Sequence, residues 1–167
     1  HHRPLPTSSP ATCGSSGQYH TVIGHADGTL TALDDGMVMD DDTYTNQPGS
    51  IESISAMEPG FLVAIAIEAG AVGAGFGGAE GLARAYDKNG TLLWQIETPL
   101  GRNIEHVVYG PTIDNNSTAW VVSWDDRLSI IETRTIPNGD SVMCVEMESR
   151  ANAVIGNSQY LALGFDD

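Results

Sequence analysis

Basic residues are scarce in this chain of 167 residues, which has 7 Lys and Arg against 22 Asp and Glu. Lys88 is the only lysine, and the formal net charge at pH 7 is −15. Proteins bind nucleic acid mainly through Lys and Arg contacts to phosphate, so a general nucleic-acid-binding face is excluded. The sequence also lacks an apolar run near the ~18 residues of a membrane-spanning helix. This absence argues against a transmembrane role.

Cysteine is nearly absent too, since only Cys13 and Cys144 are present. Two cysteines could form one disulfide bond, but they do not make a disulfide framework. Cys144 lies in a segment of alternating apolar residues, which predicts a buried thiol.

The acidic residues are spread along the whole chain instead of being gathered in one tail. A surface this acidic repels itself at low ionic strength and is stabilised when salt screens the charges. Dispersed acid with a single lysine resembles proteins of salt-loving organisms, and a plain acidic surface is the alternative. The run Asp40, Asp41 and Asp42 offers oxygen ligands that suit Ca²⁺. It lacks the spaced pattern of a calcium loop, so a solvated loop is favoured and the metal site stays a weak candidate.

Period-two alternation bounded by Gly, Asn, Asp and Pro dominates the chain and predicts β-strands. Three triplets of strands can be written, with an extra strand ahead of the later ones. The first strands of successive repeats open at Thr21, Leu62, Trp120 and Tyr160, with spacings of 41, 58 and 40 residues. A period of about 40–45 residues with four strands is typical of a β-propeller blade. We therefore predict an all-β propeller of four-stranded antiparallel blades, with a β-sandwich as the alternative.

The predicted strands are His20–Ala26, Gly28–Asp34, Gly36–Asp40, Ile51–Met57, Phe61–Glu68, Gly81–Asp87, Thr91–Thr98, Ile104–Gly110, Ala119–Trp124, Asp126–Thr133, Ser141–Met147, Ala151–Ile155 and Tyr160–Phe165.

The segment Leu82–Pro99 carries a more specific pattern. A strand ending in Tyr86-Asp87 meets a turn at Asn89-Gly90, and an apolar strand with Trp94 follows. This pattern resembles the pyrroloquinoline-quinone-type propeller repeat, a relative of the tryptophan–aspartate (WD) repeat class. Asp27-Gly28-Thr29-Leu30 opens a second, looser match. The resemblance implies a fold and not a cofactor, and no residue here selects a quinone.

Residues 1–18 are rich in Pro, Ser and Gly and show no periodicity, which predicts an extended arm ahead of a propeller domain over 19–167. With strands lettered a (inner) to d (outer), the predicted order is b-c-d, a-b-c-d, a-b-c-d, a-b. Each end contributes strand b, so the two ends cannot complete each other. Open blades expose unpaired backbone and apolar faces, so we expect a sister fragment or partner chain to finish the ring. The abrupt stop at Phe165-Asp166-Asp167, directly after an alternating run, also suggests a fragment of a longer chain.

The run Gly73–Gly78 matches G-x-G-x-x-G and resembles the fingerprint of flavin- and nicotinamide-binding proteins. In that family the glycines let a pyrophosphate approach a helix N-terminus. The resemblance implies Gly73, Gly75 and Gly78 as cofactor-binding residues, with Glu97 as the ribose-binding acid. The run is separated from the preceding strand, and the sequence lacks the alternating helices of a parallel sheet. A dinucleotide-dependent oxidoreductase fragment is therefore the alternative function.

Catalytic motifs are missing elsewhere: there is no Gly-x-Ser-x-Gly elbow, and adjacent carboxylates lie at turns. We therefore expect a non-enzymatic scaffold or binding subunit with no catalytic residue and no cofactor. Trp120 and Trp124 share one face of a strand. Core packing between blades is the favoured role, and a carbohydrate-stacking surface is the third alternative.

Three glycosylation acceptor triplets begin at Asn89, Asn115 and Asn116. They permit an exported protein, so we expect an extracellular, cell-surface or virion location, for example in a spike. The cytoplasm of a halophile is the alternative.

Overall fold

A computed structural model of the chain describes residues 9–17, 20–34, 37–44, 47–57, 60–67, 80–88, 90–99, 101–157 and 159–165, with the backbone alone at 20, 33–34, 37–44 and 57. The regular structure in these ranges is all β-strand. The strands are β1 (Ala11–Ser16), β2 (His20–His25), β3 (Leu30–Asp34), β4 (Met37–Tyr44), β5 (Ser50–Met57), β6 (Gly60–Ile67), β7 (Glu80–Asp87), β8 (Leu92–Glu97), β9 (Asn103–Ile113), β10 (Asn116–Trp124), β11 (Ser129–Thr135), β12 (Ser141–Met147), β13 (Ala151–Gly156) and β14 (Leu161–Phe165).

Strands that follow each other in sequence are also neighbours in the sheets. β1–β4, β5–β8 and β9–β12 form the first, second and third sheets, and each is antiparallel and four-stranded. β13 and β14 form a two-stranded fourth sheet. Up-and-down sheets of four strands are the blades of a propeller. The predicted fold class is confirmed, and every predicted strand corresponds to an observed one within a few residues.

Three apolar cores fill the spaces between successive sheets, because alternate residues of each strand face opposite neighbours. Between the first and second sheets lie Val22, Leu30, Ile51, Ile54, Phe61, Val63, Ile65, Leu82 and Tyr86. Between the second and third lie Leu62, Ala64, Ala83, Ala85, Trp94, Ile104, Val107, Ala119, Val121 and Ile136. Between the third and fourth lie Val122, Ile131 and Ala151, with partly buried Trp120, Val154, Leu161, Leu163 and Phe165.

The inner strands β1, β5 and β9 approach each other closely through small hydroxyl side chains. Ser15 Oγ on β1 accepts a hydrogen bond from the backbone N–H of Ala56 on β5 at 2.9 Å. Ser55 Oγ on β5 accepts in the same way from Tyr109 N–H on β9 at 3.0 Å. These bonds satisfy backbone donors that face the neighbouring sheet instead of a strand partner.

The extended arm predicted for residues 1–18 is wrong over Ala11–Ser16, which is strand β1. β1 pairs with β2 and completes the first sheet as its inner strand. Its Thr, Gly and Ser residues gave no apolar periodicity, because most of the strand is exposed and buries no alternating apolar side chains. The observed strand order is therefore a-b-c-d in each of the first three sheets and a-b in the fourth. The predicted order had instead opened with b-c-d.

The tight turns follow their residue types. The predicted Asp27-Gly28 turn is confirmed, with φ of +83° at Gly28 and Thr29 N–H donating to Asp27 Oδ1. Asp114 and Asn115 join β9 to β10 with φ of 48° and 63°, values that Asp and Asn tolerate better than most residues. The loop predicted for Asp40–Asp42 is wrong, since these residues belong to strand β4.

Both cysteines are free, and they lie on different sheets. Burial raises the pKa of the Cys13 thiol, which is partly buried on β1. Cys144 is exposed, so the predicted burial is wrong. The physical reason is that all of β12 is exposed on both of its faces.

Candidate functional site

Each of the four inner strands carries a β-bulge near its start. The register with the second strand of the sheet skips one residue of the inner strand in each case, at Thr12, Glu52, Glu105 and Asn152. A bulge twists its strand and re-aims the extra side chain. The repeat thus brings one polar residue from each sheet to the same end of the inner strands. We call these four residues the bulge ring.

A cavity of about 440 Å³ opens at this end of the molecule. It joins three members of the bulge ring, Glu52, Glu105 and Asn152, across the second, third and fourth sheets. The remaining lining residues are Ala66, Asn103, Ile104, His106 and Arg150. The lining is polar and of mixed charge, as in a site that recognises a polar group.

An ion pair crosses this cavity between two sheets. The Arg150 guanidinium, just before β13, donates through Nη2 to Glu105 Oε1 and through Nε to Glu105 Oε2 at 3.2 Å. The Arg150 side chain is 51% exposed and the Glu105 side chain 16%. A pair this exposed contributes about 0–1 kcal/mol, so it orients the two side chains more than it stabilises the fold.

Asn103 supplies a different feature of the same cavity. Its Oδ1 is buried and has no hydrogen-bond partner among the described residues. A buried acceptor without a partner costs about 1–3 kcal/mol, and a ligand that donates a hydrogen bond would recover it. The cavity is therefore suited to donor-bearing groups.

A second ion pair lies at the same end of the third sheet. Arg102, in the loop before β9, contacts Asp125, in the turn after β10, at 3.1 Å. The Leu128 backbone N–H and the Arg102 side chain hold the pKa of the Asp125 carboxyl below its usual range. This pair ties a loop to a turn and contacts no member of the bulge ring.

The dinucleotide alternative is not supported by the fold. Gly73, Gly75 and Gly78 lie outside the described residues. The fingerprint would need a short helix after the glycines, but the chain from residue 80 is strand β7, antiparallel to β6. A strand has no N-terminal N–H cluster to receive a pyrophosphate, so β7 does not supply the helix end that the fingerprint needs. Glu97 is exposed at the end of β8, and its carboxylate accepts from Gln95 Nε2 at 3.4 Å.

The predicted packing role of the tryptophans is confirmed for Trp94 and Trp120. Trp94 is 8% exposed within the second core. Trp120 packs against the third core, under β13 and β14. Trp120 and Trp124 are both half-buried on this strand, and the carbohydrate-stacking alternative stays a prediction.

The other candidates can be placed only in part. The side chains of Asp40, Asp41 and Asp42 and all of Asn89 lie outside the described residues. Asn115 and Asn116 are exposed at the β9–β10 turn. Among the described residues, no group of three or more His, Cys, Asp or Glu side chains is arranged to hold a metal ion. Within the same ranges there is also no helix with the length and apolar character needed to cross a bilayer.

The sequence interpretation missed the bulge ring, although it did predict the inner strands of the second, third and fourth sheets. A usable signal was present. Aligning those predicted strands by their starts places Glu52, Glu105 and Asn152 at the same position, one polar residue inside an apolar alternation. Register slips are not readable from one sequence, so the convergence itself could not be predicted.

Solved structures that resemble this chain include a designed protein and two propeller domains. The computationally designed Ika4 protein matches with a TM-score of 0.68 and 13% identity over 95% of this chain and 87% of that one. The Neurospora crassa Pan2 WD40 domain matches with a TM-score of 0.64 and 12% identity over 95% of this chain and 44% of that one. The Myceliophteria thermophila Cps50 (Swd1) β-propeller domain matches with a TM-score of 0.63 and 13% identity over 95% of this chain and 50% of that one.

These likenesses establish the fold and nothing finer, because the identities are 12–13%. The chain spans about half the length of the Pan2 and Cps50 chains that it matches. No protein-family model matches the sequence, and no curated protein matches it.

Proposed function

We propose that this chain is a non-enzymatic β-propeller segment that acts as a scaffold for protein contacts within a larger acidic assembly. The likeness to propeller domains supports the scaffold role. The cavity at the bulge ring supports recognition of a partner group that donates hydrogen bonds. Its lining includes the buried Asn103 Oδ1, which has no partner among the described residues, and the carboxylates of Glu52 and Glu105.

The observation that carries the proposal is an open sheet face on β13 and β14. At one register position the inner-strand residue of each sheet faces the next sheet. In the first three sheets this residue is Ser15, Ser55 and Val108 in turn, and each pairs with a residue of the core on that side. Each of the three is covered by the following sheet. Ile155 occupies the same position in the fourth sheet, opposite Ala162, and is 67% exposed. Each sheet of a repeat protein packs against its neighbours, so in this proposal a further sheet covers the face around Ile155.

Three sheets and half of a fourth cover 87% of the Ika4 chain, 50% of the Cps50 chain and 44% of the Pan2 chain. On these scales a ring has from about four to about eight sheets, which is the usual range of ~4–8. In this proposal further sheets, from the same protein or from another chain, complete the ring.

The repeat belongs, in this proposal, to the quinone-type class without its cofactor. Asp87 closes the β7–β8 turn by accepting from Thr91 N–H at 2.8 Å, and Gly90 there has φ of +80°. Trp94 then packs between sheets. These are the roles that the pattern at Leu82–Pro99 requires, and all three are structural.

For the setting, we propose a salt-adapted, exported assembly at a cell surface or on a virion. The net charge of −15 supports salt adaptation. Exposure of Asn115 and Asn116 on a tight turn supports access to glycosylation. Expression in a secreting eukaryotic cell tests this access, with glycan expected at the turn and absent in the double variant Asn115→Gln, Asn116→Gln.

The scaffold proposal is tested by the mass and composition of the native particle purified at high salt. We expect a particle heavier than one chain that contains further propeller sheets. A particle with the mass of a single chain would overturn the assembly. Absorbance from a bound flavin or quinone in the purified particle would overturn its non-enzymatic character.

A further inference from the structure

The cavity at the bulge ring contains a contact whose two positions recur from sheet to sheet. Glu105 is the bulge residue of the third sheet, and its carboxylate accepts hydrogen bonds from the Arg150 guanidinium. Arg150 lies two residues ahead of Asn152, the bulge residue of the fourth sheet. The bulge residue of one sheet is thus bound by the residue two positions ahead of the next bulge.

The same two positions in the preceding pair of sheets carry Glu52 and Asn103. Glu52 is the bulge residue of the second sheet, and Asn103 lies two residues ahead of Glu105 in the third. Both residues line the cavity. The repeat therefore keeps the carboxylate in both pairs of sheets, but it places an uncharged amide where the later pair has a guanidinium.

The pair of Glu52 and Asn103 offers hydrogen-bond acceptors to the cavity. Glu52 is exposed, and within the described ranges no ion pair includes its carboxylate. Asn103 Oδ1 has no hydrogen-bond partner among those residues, and the amide turns about a soft terminal torsion. With His counted as neutral, two carboxylates and one guanidinium leave the lining one formal negative charge. This combination suits a cation that carries several N–H donors.

We propose that this cavity binds an arginine side chain of a basic partner protein, with its guanidinium between Glu52 and Asn103. A guanidinium has five N–H donors in a planar fork, so it can serve a carboxylate and an amide oxygen together. Arg150 on Glu105 shows that these strands accept this geometry. The volume of about 440 Å³ lies within the ~300–1,000 Å³ of typical ligand sites. The inference rests on the proposed scaffold and names the group that the scaffold recognises.

Charge favours a separate, basic protein as the source of this arginine. The chain has 22 Asp and Glu for 7 Lys and Arg, and its net charge of −15 attracts a basic protein and repels a second copy. Three other arginines bind outside the cavity, to Gln47, Asp125 and Glu132: Arg84, Arg102 and Arg134.

The cavity does not depend on how the ring is completed. Its walls come from the second, third and fourth sheets, whose inner strands all lie in the described chain. Sheets that extend a ring pack beside the first or the fourth sheet. They leave the pair of Glu52 and Asn103, on the second and third sheets, in place.

The first test compares small probes on the native chain and needs no variant. The N-acetyl N-methylamides of arginine, citrulline and lysine are titrated into the full chain in about 0.15 M KCl, and the side-chain amide signal of Asn103 is followed by NMR. Citrulline keeps the planar shape without the charge, and lysine keeps the charge without the fork. We expect the arginine compound to bind with a Kd on the order of 1 mM, citrulline at least about tenfold more weakly and lysine at least about threefold more weakly.

The second test changes the proposed site and follows binding of the arginine compound by calorimetry. Glu52→Gln should weaken binding about tenfold or more, because it removes the free carboxylate. Glu146→Gln is the matched control, since Glu146 is exposed on β12 and is not a lining residue, and it should change binding less than about twofold. Asn103→Arg gives this pair the guanidinium that Arg150 gives the next pair, so it should abolish binding. Melting curves check that each variant folds.

Several results would overturn the arginine site. They are equal binding of the arginine and citrulline compounds, equal binding of the arginine and lysine compounds, equal effects of E52Q and E146Q, or unchanged binding by the Asn103→Arg chain. Free L-arginine that binds more tightly than the blocked compound would identify an amino acid instead of a protein as the ligand. An Arg3→Gln chain that binds the probe about tenfold more tightly would identify the chain's own arginine as the occupant. Either result would overturn the partner.

The site and the scaffold can fail separately. If no arginine compound binds but the native particle contains further sheets, the site is overturned and the scaffold stands. A native particle of one chain that binds the arginine compound would overturn the scaffold and leave the site.

Discussion

Gly110 on β9 lies directly against the Trp120 ring on β10 in the third sheet. A Cβ at Gly110 would lie 1.9 Å from Trp120 Cδ1 and Nε1. Gly110→Ala should therefore destabilise the fold by about 3 kcal/mol, because the ring has to move out of a filled core. Urea denaturation monitored by tryptophan fluorescence measures the change.

Gly14→Ala is the control for this substitution. The nearest atom to a Cβ there is the Val22 carbonyl oxygen at 3.3 Å, and Gly14 is exposed. We expect a change below about 1 kcal/mol. Equal effects at the two positions would mean that the Trp120 ring is free to shift.

Asp125 makes the stability of the third sheet depend on pH. Its folded pKa is lowered, first by the Leu128 N–H and then by Arg102. The carboxylate therefore stabilises the fold above the unfolded pKa of about 3.9, and this contribution is lost as pH falls through the folded pKa. Asp125→Asn should lower the melting temperature at pH 7, and its curve should converge on that of the wild type as pH falls below the folded pKa.

Asp126→Asn provides the comparison, because Asp126 is the exposed neighbour with φ of 70°. Asn adopts that conformation as readily as Asp. We expect no loss at pH 7. A difference for D125N that persists unchanged at pH 2 would show that geometry, and not charge, causes it.

The inner strands show where sequence patterns succeed and where they stop. β5, β9 and β13 were predictable because Ile, Val and Ala alternate with polar residues along them. β1 was not, because Thr12, Gly14 and Ser16 carry no apolar period. What defines β1 as a strand is its pairing with β2 and the bond from Ala56 N–H to Ser15 Oγ, and both are tertiary. The site was hidden for the same reason, since a bulge is a property of two strands.

The hydroxyl bonds between inner strands should carry measurable stability. Ser55→Ala removes the acceptor for Tyr109 N–H, which is partly buried, and leaves that donor without its bond. We expect a loss of about 1–2 kcal/mol in the free energy of unfolding, measured by chemical denaturation.

Ser16→Ala is the matched change on β1. Ser16 Oγ bonds only the exposed Thr21 hydroxyl, at 2.9 Å, so the loss should stay within about 0.5 kcal/mol. If S16A lowers the free energy of unfolding as much as S55A does, loss of a hydroxyl alone explains both changes. The hydrogen bonds between inner strands would then add no stability of their own.

At the scale of the whole molecule, the two outward faces differ. The first sheet turns Gly14, Ser16 and Thr21 outward, together with the half-buried Ile23 that pairs with Gly14. The fourth sheet turns Ile155 and Ala162 outward. Stacked repeats need a polar outer face where they meet solvent. The proposed assembly therefore places a further sheet against the exposed Ile155 on β13.

The net charge of −15 should make the whole fold depend on ionic strength. Self-repulsion acts over the Debye length, which falls from about 30 Å at 0.01 M to about 10 Å at 0.1 M salt. We expect the melting temperature to rise steeply across this range and then level off, with KCl and NaCl giving the same curve. The double variant Glu146→Lys, Glu148→Lys changes two exposed residues and makes the net charge four units less negative. Its curve should be shallower, because less repulsion remains to be screened. A flat curve for the native chain, or an increase that depends on which cation is present, would mean that charge repulsion does not limit its stability.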